Sequence, residues 1–211
     1  MTPNTEPRDH TLTLRGIRFH YVEWGDAAGR PLVLLHGITG HARTWDHLAA
    51  SLGPTWRVLA LDQRGHGDSE PAPDRDYGVG AMSEDLAAFV DALRFDRLTL
   101  LGLSMGGRVS MAYAAAHPAR LERLVIVDIA PDIHPPGMAR IRTMMANAPE
   151  AIESEEWAVE TAAAANPRAD LGELRHRIKH AIRRAPDGVL TWKYDRELRE
   201  MMRRGGRREI L

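Results

Sequence analysis

Four short, almost uninterrupted apolar runs, at 31–35 (PLVLL), 58–61 (VLAL), 98–101 (LTLL) and 124–127 (LVIV), constrain this chain more than any other feature it has. Runs of this length without alternation belong to strands buried on both faces, as in parallel sheets covered by helices. The intervals between them carry helical periodicity, at 44–52, 82–93 and 105–117; Leu86, Phe89, Val90 and Leu93 recur at positions 0, 3, 4 and 7 of one helical face. Strand and helix in alternation imply right-handed crossovers and a mostly parallel sheet flanked by helices, an α/β fold. Ahead of them, 11–15 and 17–23 alternate large and polar side chains around Gly16, the pattern of an antiparallel pair.

From Asp132 onward the strand signal stops. Pro135-Pro136 interrupts the chain, and helical patterning returns at 138–147, 155–164, 171–184 and 194–204, punctuated by Asn166-Pro167 and by Ala185-Pro186-Asp187-Gly188. Asp170, three residues ahead of Glu173, has the spacing of a helix-starting cap. The expectation is an all-helical insertion, with residues 1–131 forming a six-stranded α/β core and residues 132–211 a helical region. A chain of 211 residues, 44% hydrophobic, can bury one such core with a small appended layer.

Charge and cysteine content exclude several functions. The formal net charge is -1, with both signs interspersed, which leaves no long-range field to hold nucleic acid or an anionic membrane; neither is expected as a partner. With no cysteine there is no disulfide, no thiolate nucleophile and no Cys-based zinc site. No apolar run nears the roughly 20 residues of a membrane span. The start, MTPNTEPRDH, lacks the apolar core of a signal peptide, so the expected location is cytoplasmic.

The run at 98–101 leads into Gly102-Leu103-Ser104-Met105-Gly106-Gly107 and straight on into a helical stretch. A serine on a tight strand-to-helix turn is forced into a strained backbone conformation that lifts its hydroxyl above the sheet. Glycines two residues to either side let neighbouring backbone pass where a Cβ would clash. The first N–H groups of the helix then point to where a negative oxygen would form. Gly-x-Ser-x-Gly alone is a common chance pattern; behind a buried strand and ahead of a helix it is specific.

In that setting the chain resembles the α/β-hydrolase superfamily, over nearly its whole length up to Arg204. Leu35-His36-Gly37-Ile38-Thr39-Gly40 is similar to the family's loop after the third strand. The similarity implies that Ser104 is the nucleophile, that the backbone N–H of Ile38 is one oxyanion donor, and that the N–H of Met105 is the other. Loss of one such donor commonly costs ~10²-fold or more in turnover. Residues 62–69 (DQRGHGDS) resemble the turn after the fourth strand, whose arginine and aspartate tie loops beside the site. His36 fits a similar structural role, as a hydrogen-bonded loop residue. No cofactor and no metal are implied; His176 and His180 stand four apart, a metal-ligand spacing, but read better as one face of a helix.

Serine is a weak nucleophile at neutral pH until a histidine accepts its proton and an acid fixes that histidine's tautomer. The family's order along the chain is Ser, then Asp or Glu, then His, the last two usually following the seventh and eighth strands. This sequence reaches Leu211 before either strand, so the resemblance implies two further strand-plus-helix units, about 60 residues at ~30 each. Asp128, at the end of the 124–127 run, stands where some members with a helical cap place the acid; it equally fits a residue capping the turn into Pro131. His134 follows, with nothing to fix its orientation as a base.

Met144, Met145, Met201, Met202, Trp157 and Trp192 fit helix packing or an apolar acyl pocket. Trp192-Lys193-Tyr194-Asp195 resembles the segment entering the last cap helix of related members. The implied function is hydrolysis of a small, fairly apolar carboxylic ester or lactone through a Ser104 acyl-enzyme. Epoxide hydrolases and haloalkane dehalogenases are disfavoured, since they need a carboxylate at position 104. Proline-releasing peptidases are too, since their Gly-Gly-Pro-Gly differs from Gly37-Ile-Thr-Gly40. The alternative is a catalytically incomplete fragment or binding relic of the fold. In either case the sixth strand is expected at an exposed sheet edge, open to self-association.

Overall fold

The computed structural model describes residues 6–131 and 135–204, and these fall into two compact units with those same limits. In the first, β1 (Arg8–Leu14), β2 (Ile17–Trp24), β3 (Arg30–Leu35), β4 (Trp56–Leu61), β5 (Leu98–Leu103) and β6 (Leu121–Val127) build one sheet in the order β1-β2-β4-β3-β5-β6. β1 and β2 are antiparallel and joined by a two-residue turn, Arg15-Gly16, with both φ angles positive (50° and 80°), the geometry that suits the twist of a hairpin. β2 also runs antiparallel to β4, while β4, β3, β5 and β6 are mutually parallel. The crossovers are α1 (Asp46–Ser51), preceded by a 3₁₀ turn at Ala42–Trp45, then α2 (Val79–Ala92) and α3 (Met105–Ala116). The α/β architecture expected from the alternating runs is the one observed.

The two faces of the sheet are filled by alternate residues of the same strands. Leu32 and Leu34 of β3, with Val58 and Ala60 of β4, pack beneath Ala42, Trp45 and Ala49. On the other face Phe19, Leu35 and Leu61 meet Met82, Leu86 and Val109 of α2 and α3 around a narrow interior gap. β6 has the apolar run of a doubly buried strand but stands at the exposed edge expected of the sixth strand. It is the last strand of the sheet, and Leu124, Val125 and Val127 remain 38%, 40% and 39% exposed. Composition marks a strand as fit for burial, but only its neighbours can bury it.

The second unit contains α4 (Pro135–Asn147), α5 (Glu155–Ala165), α6 (Leu171–Ala181) and α7 (Arg196–Arg204). It is not all-helical. The helix expected at 171–184 ends at Ala181, and Ile182–Arg184 (β7) pairs antiparallel with Leu190–Trp192 (β8) across the Pro186-Asp187-Gly188 turn. The turn and the alternation of Leu190, Thr191 and Trp192 were the sequence signal for this hairpin, masked by the helical periodicity running into it. Ile152, Ala158, Val159, Ile178 and Ile182 form one core cluster of the unit, with Trp157 and Trp192 packed against it. Ser154 and Asp170 cap α5 and α6 by accepting the N–H groups of Trp157 and Glu173. Arg199 and Arg203 of α7 bind the carbonyls of Ala148, Pro149 and Ala146 at the end of α4. Met145 and Met202 are buried and Met144 is exposed. Among the described residues no helix is long and apolar enough to cross a membrane.

Candidate active site

The register of the parallel strands brings three loops level. Leu35 lies opposite Gly102, and Leu103 opposite Val127, so the chain leaves β3, β5 and β6 at one end of the sheet. From β3 the chain goes to β4 on one side, and from β4 it crosses to β5 on the other. The ends of β3 and β5 therefore flank the switch point at which open α/β sheets bind ligands.

Ser104 occupies that point. Its backbone has φ 50° and ψ -114°, a region closed to most L-residues by sterics. Two backbone hydrogen bonds hold it there: the Ser104 N–H donates to Val127 O at 2.8 Å, and Ser104 O accepts from Arg108 N–H at 3.1 Å. The glycines around it are required by contact. A Cβ at Gly106 would stand 2.5 Å from Leu35 O and 2.7 Å from His36 O, one at Gly107 would meet Ile129, and one at Gly102 would overlap Gly106 and Ser110. The first turn of α3 is thus pressed against the ends of β3 and β5. Ser104 is half-buried, and among the described residues its hydroxyl makes no hydrogen bond.

The loop after β3 lies against this corner: a Cβ at Gly37 would be 3.3 Å from Ser104 Cβ. Gly37 to Gly40 form a turn closed by Gly40 N–H donating to Gly37 O at 2.9 Å, with Thr39 at φ 62°. No hydrogen bond from the Ile38 or Met105 N–H is found among the described residues. Asp128 follows directly on Val127, the residue bonded to the Ser104 N–H; its own φ is 56° and its side chain is exposed. His134 and the tail beyond Arg204 lie outside the described residues.

Two of the described histidines, His36 and His20, are held by other partners. His36 is fully buried, its Nε2 accepting from Gln63 N–H at 3.0 Å and its Nδ1 donating to Gly37 O at 2.8 Å. Burial, and then the neighbouring His66 ring, lower its pKa to about 3, so it is neutral at physiological pH. His20 bonds Asp62 at 2.7 Å and Asp9 at 2.9 Å. Burial opposes its charge, but the two carboxylates outweigh burial and raise its pKa. Ser69 adds a hydroxyl to His20 and Asp62, yet it is no second triad. Ser69 Oγ donates to the backbone O of Asp62 and accepts from the backbone N–H of His20, while both ring nitrogens face carboxylates.

The turn after β4 is tied down throughout. Asp62 accepts from Ala42 N–H at 2.5 Å and Asp68 N–H at 2.9 Å, and its carboxylate fills the space where Gly67, at φ 57°, has no Cβ. Arg64 is buried in a two-pronged pair with Asp85, at 2.5 and 2.7 Å, and also holds Asp76 O at 2.7 Å. Sequence reasoning had no signal for Gln63, whose side-chain amide donates to His36 O at 2.8 Å. His176 and His180 stack edge-on along α6, with ring centroids 5.0 Å apart.

A family model described as the alpha/beta hydrolase fold matches residues 30–185. The chain is 43% identical over 126 residues to an N-formylmaleamate deformylase of Pseudomonas putida, a match covering 60% of this chain and 46% of that protein. It is 32% identical over 179 residues to an esterase of Mycobacterium tuberculosis, covering 82% and 59%. The matched segments take in about half the length of these curated relatives. Among solved structures, an alpha/beta hydrolase from Novosphingobium aromaticivorans superposes with a TM-score of 0.82 at 30% identity, covering 92% of this chain and 70% of that one. An E-2-(acetamidomethylene)succinate hydrolase shares the fold with a TM-score of 0.87 at 23% identity, covering 97% and 75%. Because the family model runs from β3 through β7, taking in every parallel strand and the serine corner, the chain belongs to the alpha/beta hydrolase fold family.

Proposed function

We propose that this chain is the nucleophile-bearing part of a serine hydrolase that cleaves a small, fairly apolar carboxylic ester or lactone through an acyl-enzyme on Ser104. One observation carries the reading: a serine held at φ 50° on a strand-to-helix corner, its hydroxyl unengaged among the described residues, with the equally unengaged amides of Ile38 and Met105 on the adjoining loop and helix. Conformational strain of this kind costs about 1–3 kcal/mol and persists where the surroundings enforce it. Here the Val127 and Arg108 bonds and three tightly packed glycines enforce it.

None of the described imidazoles is hydrogen-bonded to Ser104, so the reading takes its base from an imidazole outside the described residues and assigns Asp128 as the acid that orients it. Ser104 Oγ attacks the carbonyl carbon as that imidazole accepts the hydroxyl proton, and the N–H groups of Ile38 and Met105 hold the oxygen that becomes negative. Collapse breaks the ester C–O bond, and the leaving oxygen takes the proton from the imidazolium. Water, deprotonated by the same ring, then attacks the acyl carbon; the bond to Oγ breaks, Oγ takes the proton back from the imidazolium, and the carboxylic acid leaves. The same steps suit an N-formyl amide, the substrate class that the name of the Pseudomonas relative describes, with an amide nitrogen leaving in place of the alcohol oxygen.

The test is p-nitrophenyl acetate turnover and fluorophosphonate labelling of the chain, with and without added imidazole as a surrogate base, beside Ser104→Ala. Imidazole is expected to accelerate both reactions beyond its own hydrolysis of the ester, and the Ser104→Ala protein to show no labelling and no turnover above that background. A folded sample that stays unlabelled favours a binding relic of the fold, the reading to which the absence of a Ser104–imidazole bond among the described residues also lends itself.

A further inference from the structure

His36 has no chemical part in this scheme, yet it is buried completely and every polar atom of its ring is engaged. Because Gln63 donates its backbone N–H to Nε2, that nitrogen carries the lone pair and the ring hydrogen must sit on Nδ1. Nδ1 accordingly donates to Gly37 O at 2.8 Å, and the Gly40 N–H donates to the same oxygen at 2.9 Å. Gln63 closes the arrangement by donating its side-chain amide to His36 O at 2.8 Å, so one residue of the β4 loop grips both the ring and the main chain of His36.

The consequence lies in the next peptide unit. Gly37 O and the Ile38 N–H belong to one planar group, and no peptide bond in the described chain is cis. In a trans peptide the carbonyl and the N–H point in opposite directions. Two donors that fix Gly37 O on one side therefore fix the Ile38 N–H on the other, and Gly37 itself packs against Ser104 Cβ. A carbonyl held by one donor could rock about the flanking φ and ψ; held by two, it defines a plane. The neutral state of His36 belongs to the same design, since a proton on Nε2 would oppose the Gln63 N–H and release the grip.

We infer that His36 is a positioning residue, which, with its tautomer set by Gln63, locks the Gly37–Ile38 peptide so that the Ile38 N–H is aimed at the Ser104 oxyanion. This rests on the serine acyl-transfer reading above. It assigns His36 no proton transfer with substrate; its effect passes through the Ile38 amide. Asparagine at position 36 can reproduce the donor to Gly37 O, its Nδ2 standing near the place of Nδ1. Leucine cannot.

The experiment follows fluorophosphonate labelling of the full chain with imidazole present, in wild type, His36→Asn, His36→Leu and Ser104→Ala, with thermal melting of each. Ser104 Oγ forms the bond to phosphorus, fluoride leaves, and the imidazole takes the proton. His36→Leu is expected to lower the maximal labelling rate by at least about tenfold, towards the loss seen when an oxyanion donor is removed, while the half-saturating concentration stays within about twofold. His36→Asn should recover most of the rate. In ¹⁵N-resolved spectra of the wild type, His36 should show a protonated Nδ1 and a bare Nε2, and the Ile38 amide proton should move downfield on phosphonylation. These spectra need no variant to fold. A His36 protonated on Nε2, an Ile38 amide indifferent to the adduct, or a folded His36→Leu protein labelled at the wild-type rate would each overturn the proposal while leaving the nucleophile assignment intact. A folded wild type that is never labelled at Ser104 overturns the acyl-transfer reading and this inference with it.

Discussion

Ser104 holds a backbone conformation whose mirror image is ordinary extended chain, and glycine alone moves between the two without steric cost. Replacing the serine by alanine keeps the strain, whereas Ser104→Gly removes it. The glycine protein is expected to be more stable than the alanine protein by about 1 kcal/mol in urea unfolding, with neither labelled. The buried histidines set the pH response. His36 titrates near 6.5 in the unfolded chain but near 3 in the folded one, so between those values the unfolded chain binds more protons and stability falls as pH drops. The slope approaches about 1.4 kcal/mol per pH unit where that group alone differs. Asp62 adds to the loss below its ordinary 3.8: burial works against its charge, but the hydrogen bond from His20 and the histidines around it lower its pKa. His20 acts in reverse. Its contribution is complete below 6.5 and disappears as pH rises through its raised folded value. Urea midpoints between pH 6.5 and 4 should fall steeply for the wild type and little for His36→Asn, and parallel slopes would show that His36 is not the titrating group. At this scale the strained corner at Ser104 was legible because its two glycines and its flanking strand and helix all point one way. Gln63 was not, because its importance comes from the ends of β3 and β4 meeting in space, and a glutamine between Asp62 and Arg64 carries no mark of that.

Glycine spacing matters at the level of the elements, where one substitution can take either sign. In α3, Gly106→Ala drives a methyl into the carbonyls of Leu35 and His36 and should cost about 1–3 kcal/mol, as overpacking of a closed interior does. In α2, Gly80→Ala meets nothing within 4 Å, and the better helix propensity of alanine should stabilise the protein by about 0.5–1 kcal/mol. Thermal or urea unfolding of both variants checks the pair; a tolerated Gly106→Ala would mean that the first turn of α3 can slide away from β3. The strands and crossovers of the first unit could be read because burial from both sides leaves unbroken apolar runs. The β7–β8 hairpin escaped because three residues following a strong helix inherit its periodicity. The exposure of β6 was legible from its expected place at the sheet edge and not from its apolar run, which is indistinguishable from that of β5.

At the largest scale, the mostly parallel sheet ends in a strand that, among the described residues, has one paired side and three half-exposed apolar side chains. Such an edge is a template for another chain. Sedimentation of the chain is expected to show concentration-dependent association, and Val125→Lys to shift it towards the monomer; identical profiles for the two proteins would clear β6 of any part in association. That same strand is more than a border. Its final carbonyl, on Val127, is what the Ser104 amide hangs from, and Asp128 begins at the next atom along. The serine corner is therefore moored to the outermost ribbon of the sheet, so fraying there would slacken the mooring, and anything that clasps the ribbon's outer rim would steady Ser104 from a full strand's width away.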